Sequence, residues 1–144
     1  MITRLDHAAL SVADLDRSVR FYRDLLGFTV DRIIESPPEM GLGDIVGLPG
    51  CSARIAHLRH GDSMLELLEY RKPRGRPVPP DATQADQGFS HACFRSTDTR
   101  SDYARLKSHG VEFLGVPVEY RPGVWIVYFR GPDREVCELR QLPD

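Results

Sequence analysis

The sequence predicts an α+β fold built from two tandem βαβββ modules, and three observations lead to this prediction. The order of one strand, one helix and three strands occurs twice along the 144 residues. A proline-rich connector over residues 72–87 separates the two occurrences. The length and the content of 41% hydrophobic and 28% charged residues are those of one average globular domain. Because each module is too small to bury a sheet face alone, we expect the two to pack together.

The first module is expected to span residues 1–71 and to open with a strand over 4–12. Asp14 then occupies the N-cap position of a helix, where a short side chain can accept a hydrogen bond from a free backbone N–H. Apolar residues follow at helical spacing, and Gly27 ends the helix because glycine tolerates the left-handed conformation. Three strands are expected after this helix, at 28–34, 54–59 and 63–70, with a loop rich in proline and glycine over 36–50.

The second module, expected over residues 88–144, repeats this order. Asp98 lies in the N-cap position, 84 residues after Asp14, and Gly110 ends the helix. Strands are expected at 89–96, 111–116, 124–130 and 135–141. We therefore interpret residues 1–144 as a single domain made of two related halves.

Charge and hydropathy exclude several classes of protein. The net charge is −2 and the pI is near 6.2, so the chain offers no broad basic field for nucleic acid. No run of residues reaches the roughly 18 apolar residues that a membrane span needs, and the first residues lack the apolar core of a signal peptide. Three cysteines, Cys51, Cys93 and Cys137, are far apart and form no CxxC pair. We expect a cytoplasmic protein with reduced thiols and with neither a nucleic-acid nor a membrane partner.

Each module carries a histidine in its first strand and a glutamate in its last strand. These residues are His7 and Glu66 in the first module, and His91 and Glu138 in the second. The alternation of side chains along a strand places most of them in apolar rows. One alternative register turns Glu69 inward in place of Glu66.

A divalent cation would explain this placement. An ionised carboxylate that faces a dry interior costs several kcal/mol unless it is paired. One strand histidine alone would be interpreted as a structural residue, but the same arrangement in both modules favours a metal site. Nitrogen and oxygen donors without a thiolate suit Zn, Ni, Co, Mn or Fe(II), so the donor types do not identify the metal.

Several stretches of the chain resemble a known family. They are LDHAALSV (5–12), MLELLE (64–69), FSHACF (89–94) and YFRGPD (128–133). With these stretches the sequence resembles the vicinal oxygen chelate superfamily, which includes glyoxalase I, methylmalonyl-CoA epimerase, extradiol dioxygenases, and fosfomycin and bleomycin resistance proteins. The resemblance covers nearly the whole chain, apart from residues 36–50 and 72–87.

The resemblance implies a fold and a site. The fold is the glyoxalase-like one, in which the two modules form an open eight-stranded mixed β-barrel-like cavity, and such proteins are commonly homodimers. The implied ligands of one divalent metal ion are His7, Glu66, His91 and Glu138. Glu138 and Glu66 are also the implied catalytic bases, because a ligand carboxylate can detach from the metal.

The resemblance also implies a function, with two alternatives. The function is that of a metal-dependent isomerase or lyase, which acts on a small substrate with vicinal oxygens through a metal-stabilised enediolate or enolate. The first alternative is a non-haem metal dioxygenase of the extradiol type. The second is a protein that binds a small molecule or an antibiotic without catalysis.

Other conspicuous residues carry weaker signals. Cys93 lies on the face of His91, where it either lines the cavity or packs. We expect the remaining histidines, His57, His60 and His109, to be solvated. A basic cluster is either solvated surface or a contact for an anionic substrate tail such as coenzyme A or glutathione; it consists of Arg54, Arg59, Arg71, Lys72, Arg74 and Arg76.

Overall fold

The computed structural model describes residues 1–143 and contains two compact units, with the division between Pro77 and Val78. Each unit contains one four-stranded mixed sheet. In both sheets the first strand lies parallel to the last, and the other two strands follow in antiparallel order. The βαβββ order therefore occurs in both units, as the sequence predicts.

The first unit has four strands and two short α-helices. The strands are β1 (Ala8–Ser11), β2 (Thr29–Ser36), β3 (Ser52–His60) and β4 (Ser63–Lys72), in the sheet order β1-β4-β3-β2. The helices are α1 (Leu15–Arg20), which continues as a π-helix over Phe21–Leu25, and α2 (Leu42–Val46), which follows a 3₁₀ turn at Pro38–Met40.

The second unit has four strands and one helix. The strands are β5 (Ala92–Arg95), β6 (Val118–Arg121), β7 (Val124–Arg130) and β8 (Val136–Gln141), in the sheet order β5-β8-β7-β6. The helix is α3 (Thr99–Ser108).

Both predicted N-caps are present. The Asp14 carboxylate accepts a hydrogen bond from the backbone N–H of Arg17, at 2.9 Å. The Asp98 carboxylate accepts from the N–H groups of Arg100 and Ser101, at 3.1 and 3.0 Å. Each cap satisfies amides that have no partner within the helix, and so fixes where the helix begins.

One predicted strand is wrong. Residues 111–116 form only an isolated bridge between Phe113 and Phe129, and the strand of this region is β6. Pro117 has no backbone N–H to donate, and regular pairing begins directly after it, at Val118.

The first strand is shorter than predicted. The sequence predicts a strand over residues 4–12, but β1 begins at Ala8. Ala8 pairs with Leu65, and β4 begins at Ser63. Only two residues of β4 precede Leu65, so β4 could not pair with the first two residues of the predicted strand, 4 and 5.

One face of each sheet is covered by its own helix. In the first unit α1 contacts β3 and β4, and Leu15, Tyr22 and Leu67 are fully buried. In the second unit α3 contacts β7 and β8, and Leu106 and Phe129 are fully buried. The opposite face carries Glu66 in the first sheet and Glu138 in the second, while His7 and His91 directly precede β1 and β5.

No helix within residues 1–143 has the length and apolar character needed to cross a membrane.

Replacing Leu67 with Ala should lower the free energy of unfolding by about 2–5 kcal/mol, because the substitution removes a fully buried side chain and leaves a cavity. Urea unfolding followed by circular dichroism measures the change. The matched control is Leu5→Ala, where the side chain is 87% exposed, and its effect should stay below about 0.5 kcal/mol. Equal losses in the two variants would contradict the assignment of the core to this face.

Candidate functional site

The second unit brings His91 and Glu138 into direct contact. The Nε2 atom of His91 lies 2.8 Å from Oε2 of Glu138. The Glu138 side chain is only 8% exposed, and its strand β8 lies between β5 and β7. In the register of the sheet, Cys93 of β5 lies on one side of Glu138 and Tyr128 of β7 on the other. A buried carboxylate thus has three neighbours that can interact with it.

The Glu138 carboxylate also acts on these two strand neighbours. Partial burial, followed by the negative charge and hydrogen bonding of Glu138, raises the pKa of the Cys93 thiol to about 11. The same causes in the same order raise the pKa of the Tyr128 phenol above its ordinary value. Both groups are therefore protonated at neutral pH and can donate a hydrogen bond to the carboxylate.

The His91 ring has two further neighbours besides Glu138. The Nδ1 atom lies 3.0 Å from Oγ of Ser90. The Tyr128 ring lies against the imidazole, with ring centroids 4.9 Å apart and the hydroxyl 3.5 Å from both ring nitrogens. The ring is therefore held from two sides.

The first unit repeats one part of this arrangement. The Nδ1 atom of His7 lies 3.1 Å from Oδ2 of Asp6, and this hydrogen bond, more than any other cause, holds the pKa of Asp6 below its ordinary value. Asp6 thus takes the place that Ser90 has beside His91. The His7 side chain is 37% exposed. Its Nε2 atom is the ring nitrogen left for a ligand, as in histidines whose other nitrogen is held by a carboxylate.

Glu66 contacts a histidine on the neighbouring strand. Its Oε2 atom lies 3.0 Å from Nε2 of His57, which is directly opposite on β3. The Nδ1 atom of His57 in turn accepts a hydrogen bond from Nε of Arg32 on β2, at 2.9 Å. Because Nδ1 accepts, a neutral His57 carries its proton on Nε2 and donates it to Glu66. Three strands therefore contribute one hydrogen-bonded row that orients the Glu66 carboxylate.

The expectation that His57 is solvated is wrong. Its side chain is 12% exposed and that of Glu66 is 17% exposed. The sequence places His57 in a strand, and this position could have indicated a contact with Glu66. The contact can be predicted only if the register between the two strands is known. His60 and His109 are exposed, as expected.

The alternative register, with Glu69 inward, does not occur. Oε2 of Glu69 accepts a hydrogen bond from the backbone N–H of Leu15, at 3.0 Å, and lies 3.6 Å from Arg54. Glu69 therefore serves the N-terminus of α1 on the helix-covered face, where a negative charge is favourable. Glu66, three residues earlier, lies on the opposite face.

Part of the predicted basic cluster belongs to ion pairs within the first unit. Arg54 pairs with Asp16 at 3.0 Å and with Glu35 at 2.9 Å, which raises the pKa of its guanidinium. Arg71 also pairs with Glu35, at 3.1 Å. These arginines are therefore neutralised locally.

Part of the predicted donor set suits a divalent cation. Within residues 1–143 the His, Cys, Asp and Glu side chains form no group of three or more that could hold a metal ion. The pair of His91 and Glu138 does fit. Two ligands at about 2.1 Å from one ion lie about 3 Å apart in octahedral coordination and about 3.4 Å apart in tetrahedral coordination, and the observed separation of 2.8 Å is close to the octahedral value. The nitrogen and oxygen donor types fit as well.

The chain is 31% identical to a 2-epi-5-epi-valiolone epimerase of Actinomyces sp over 147 aligned residues, which cover 95% of this chain and 78% of that protein. It is 29% identical to an ethylmalonyl-CoA/methylmalonyl-CoA epimerase of Cereibacter sphaeroides over 116 residues, which cover 80% of this chain and 77% of that protein. The crystal structure of a glyoxalase family protein from Bacillus cereus has the same fold, with a TM-score of 0.89 at 24% identity and coverage of 99% of this chain and 97% of that one.

The family model of the Glyoxalase/Bleomycin resistance protein/Dioxygenase superfamily matches residues 4–139. That range includes both modules and all four of the predicted His and Glu positions. The chain therefore belongs to the Glyoxalase/Bleomycin resistance protein/Dioxygenase superfamily and has the glyoxalase-like fold.

Proposed function

We propose that this protein is a divalent-metal-dependent isomerase or lyase, which moves a proton next to a carbonyl of a small substrate with vicinal oxygens. The observation that carries the proposal is the buried Glu138 carboxylate in contact with Nε2 of His91. The names of two relatives, both epimerases, support the same class of reaction.

The proposed ligands of the metal ion are His7, Glu66, His91 and Glu138. The two carboxylates balance the charge of a divalent cation, and the two imidazoles can bind as neutral donors. Three of the four proposed ligands have a hydrogen-bond partner that would lie outside the metal's own ligand set, as is common at metal sites. Asp6 contacts His7, Ser90 contacts His91, and His57 contacts Glu66. A cation bound there supplies Lewis-acid stabilisation of negative charge on a substrate oxygen.

Glu138 is the proposed base. A carboxylate oxygen of Glu138 takes the proton from the carbon next to the carbonyl, while the Tyr128 hydroxyl and the Cys93 thiol fix the carboxylate by donating to it. Glu66 is the second carboxylate that can hold or return a proton. An epimerase needs two such groups because the proton leaves one face of the carbon and returns to the other.

Metal binding tests the ligand set. The purified protein should bind about one equivalent of Zn²⁺, Ni²⁺ or Co²⁺ per chain in isothermal titration calorimetry. Glu138→Gln should weaken this affinity by at least about tenfold, because it removes a charged oxygen ligand. The control is Glu112→Gln, which changes an exposed glutamate of the same unit and should leave the affinity unchanged. An equal affinity in both variants, or no binding by the wild type, would overturn the proposed ligand set.

The hydrogen-bonded row behind Glu66 gives a second prediction. His57→Leu removes the donor to Glu66 and should lower the metal affinity by about tenfold, as loss of an outer partner does at other metal sites. His57→Gln keeps an N–H donor and should recover part of the affinity. His60→Gln, at an exposed histidine, is the control. If His57→Leu binds metal as the wild type does, the row has no role in orienting Glu66.

Proton exchange tests the reaction itself. In D₂O the metal-loaded protein should exchange the proton next to the carbonyl in one member of a panel of acyl-CoA esters and α-keto hemithioacetals, as measured by NMR. Glu138→Gln should slow that exchange by about 100-fold or more, because it removes the base. Glu112→Gln again serves as the control. Wild-type exchange in Glu138→Gln would exclude Glu138 as the base, and turnover that requires O₂ would favour an oxygenase.

A further inference from the structure

Two arginines lie beside Glu138 on the same face of the second sheet. Cys93 of β5 pairs with Glu138 of β8, and in the same parallel ladder Arg95 pairs with Arg140. Residues two apart on a strand point to the same face. The two guanidinium groups therefore belong to the face that carries the proposed base, one pair further along the strands.

The pairing of Arg95 with Arg140 is electrostatically unfavourable by itself. Like charges directly opposite each other on neighbouring strands destabilise a sheet. Among residues 1–143 no carboxylate forms an ion pair with Arg95 or Arg140, and Glu138 is paired with His91. Neither arginine thus has a carboxylate within ion-pair distance in the described part of the chain.

Arg140 has an unsatisfied donor. Its Nε atom is buried and, within the described residues, has no hydrogen-bond partner. A buried polar atom of this kind needs an acceptor, and a guanidinium presents its donors in the fork that matches a carboxylate or a phosphate.

We propose that Arg140, assisted by Arg95, binds a carboxylate or phosphate group of the substrate. This inference rests on the proposed function, since it takes Glu138 as the base at the reacting carbon. Two residues along a strand span about 7 Å. The substrate is therefore an anion whose charged group lies a few bonds from the carbon that loses its proton.

Anion binding without metal tests this subsite. Inorganic phosphate and succinate are titrated separately into the full-length protein in EDTA at low ionic strength, and binding is followed by calorimetry and NMR. Arg140→Gln should weaken the affinity for the preferred anion by about tenfold, as expected for loss of a charged hydrogen bond. Arg95→Gln should have a smaller effect because Arg95 is exposed. Arg140→Lys, which keeps the charge but loses the fork, should fall between the wild type and Arg140→Gln.

Controls separate this test from general charge effects and from misfolding. Arg20→Gln removes one exposed positive charge from α1 and should change the affinity less than twofold. Circular dichroism and the melting temperature of each variant check that it folds. Preference for phosphate or for succinate identifies which anion the subsite takes. Absence of binding of both anions to the wild type, or equal affinity in Arg140→Gln, would overturn the proposal.

The outcome is distinguishable from failure of the proposed function. Metal binding and proton exchange without anion binding would overturn the subsite alone. Anion binding that depends on Arg140, in a protein that neither binds metal nor exchanges protons, would overturn the proposed function and leave the subsite in place.

Discussion

The buried carboxylate of Glu138 is the constraint that organises the second sheet. An ionised carboxylate with an 8% exposed side chain is stable only if charges or hydrogen-bond donors compensate for its lost hydration. The three neighbours that compensate for it, His91, Tyr128 and Cys93, come from the chain before β5, from β7 and from β5. Each can donate a hydrogen bond, so the order β5-β8-β7 is also the order in which donors flank the carboxylate.

The first sheet has the same register but different neighbours. Glu66 lies between Ala9 on β1 and His57 on β3, in the positions that Cys93 and Tyr128 have around Glu138. Ala9 has no side-chain donor, and His57 is itself held by Arg32. The two carboxylates therefore have unlike surroundings despite the shared fold. In enzymes with two carboxylates, different surroundings can give one of them the role of acid or base and the other a different role. The difference between Glu138 and Glu66 agrees with the proposed assignment of Glu138 as the base.

One strand serves two purposes in the first unit. Glu66 and Glu69 are three residues apart on β4 and so lie on opposite faces. Glu66 joins the row with His57, while Glu69 accepts from the first amide of α1 and lies near Arg54. On the helix-covered face, Glu69 thus stabilises the fold. On the opposite face, Glu66 is available for the proposed chemistry. Sequence alternation cannot distinguish these roles unless the register of β4 is known.

The amino-acid sequence was enough to predict the βαβββ order in both halves, both N-caps, the family, and the four His and Glu positions as a repeated pattern. These features are local or periodic, because a capping side chain acts within three residues and alternation needs only neighbours on one strand. Three features became visible only in the folded chain: His57 contacts Glu66, Arg95 lies opposite Arg140, and the strand expected at 111–116 is found instead at β6. The physical reason is that each of these depends on the register between strands that are distant in sequence, which no single segment encodes.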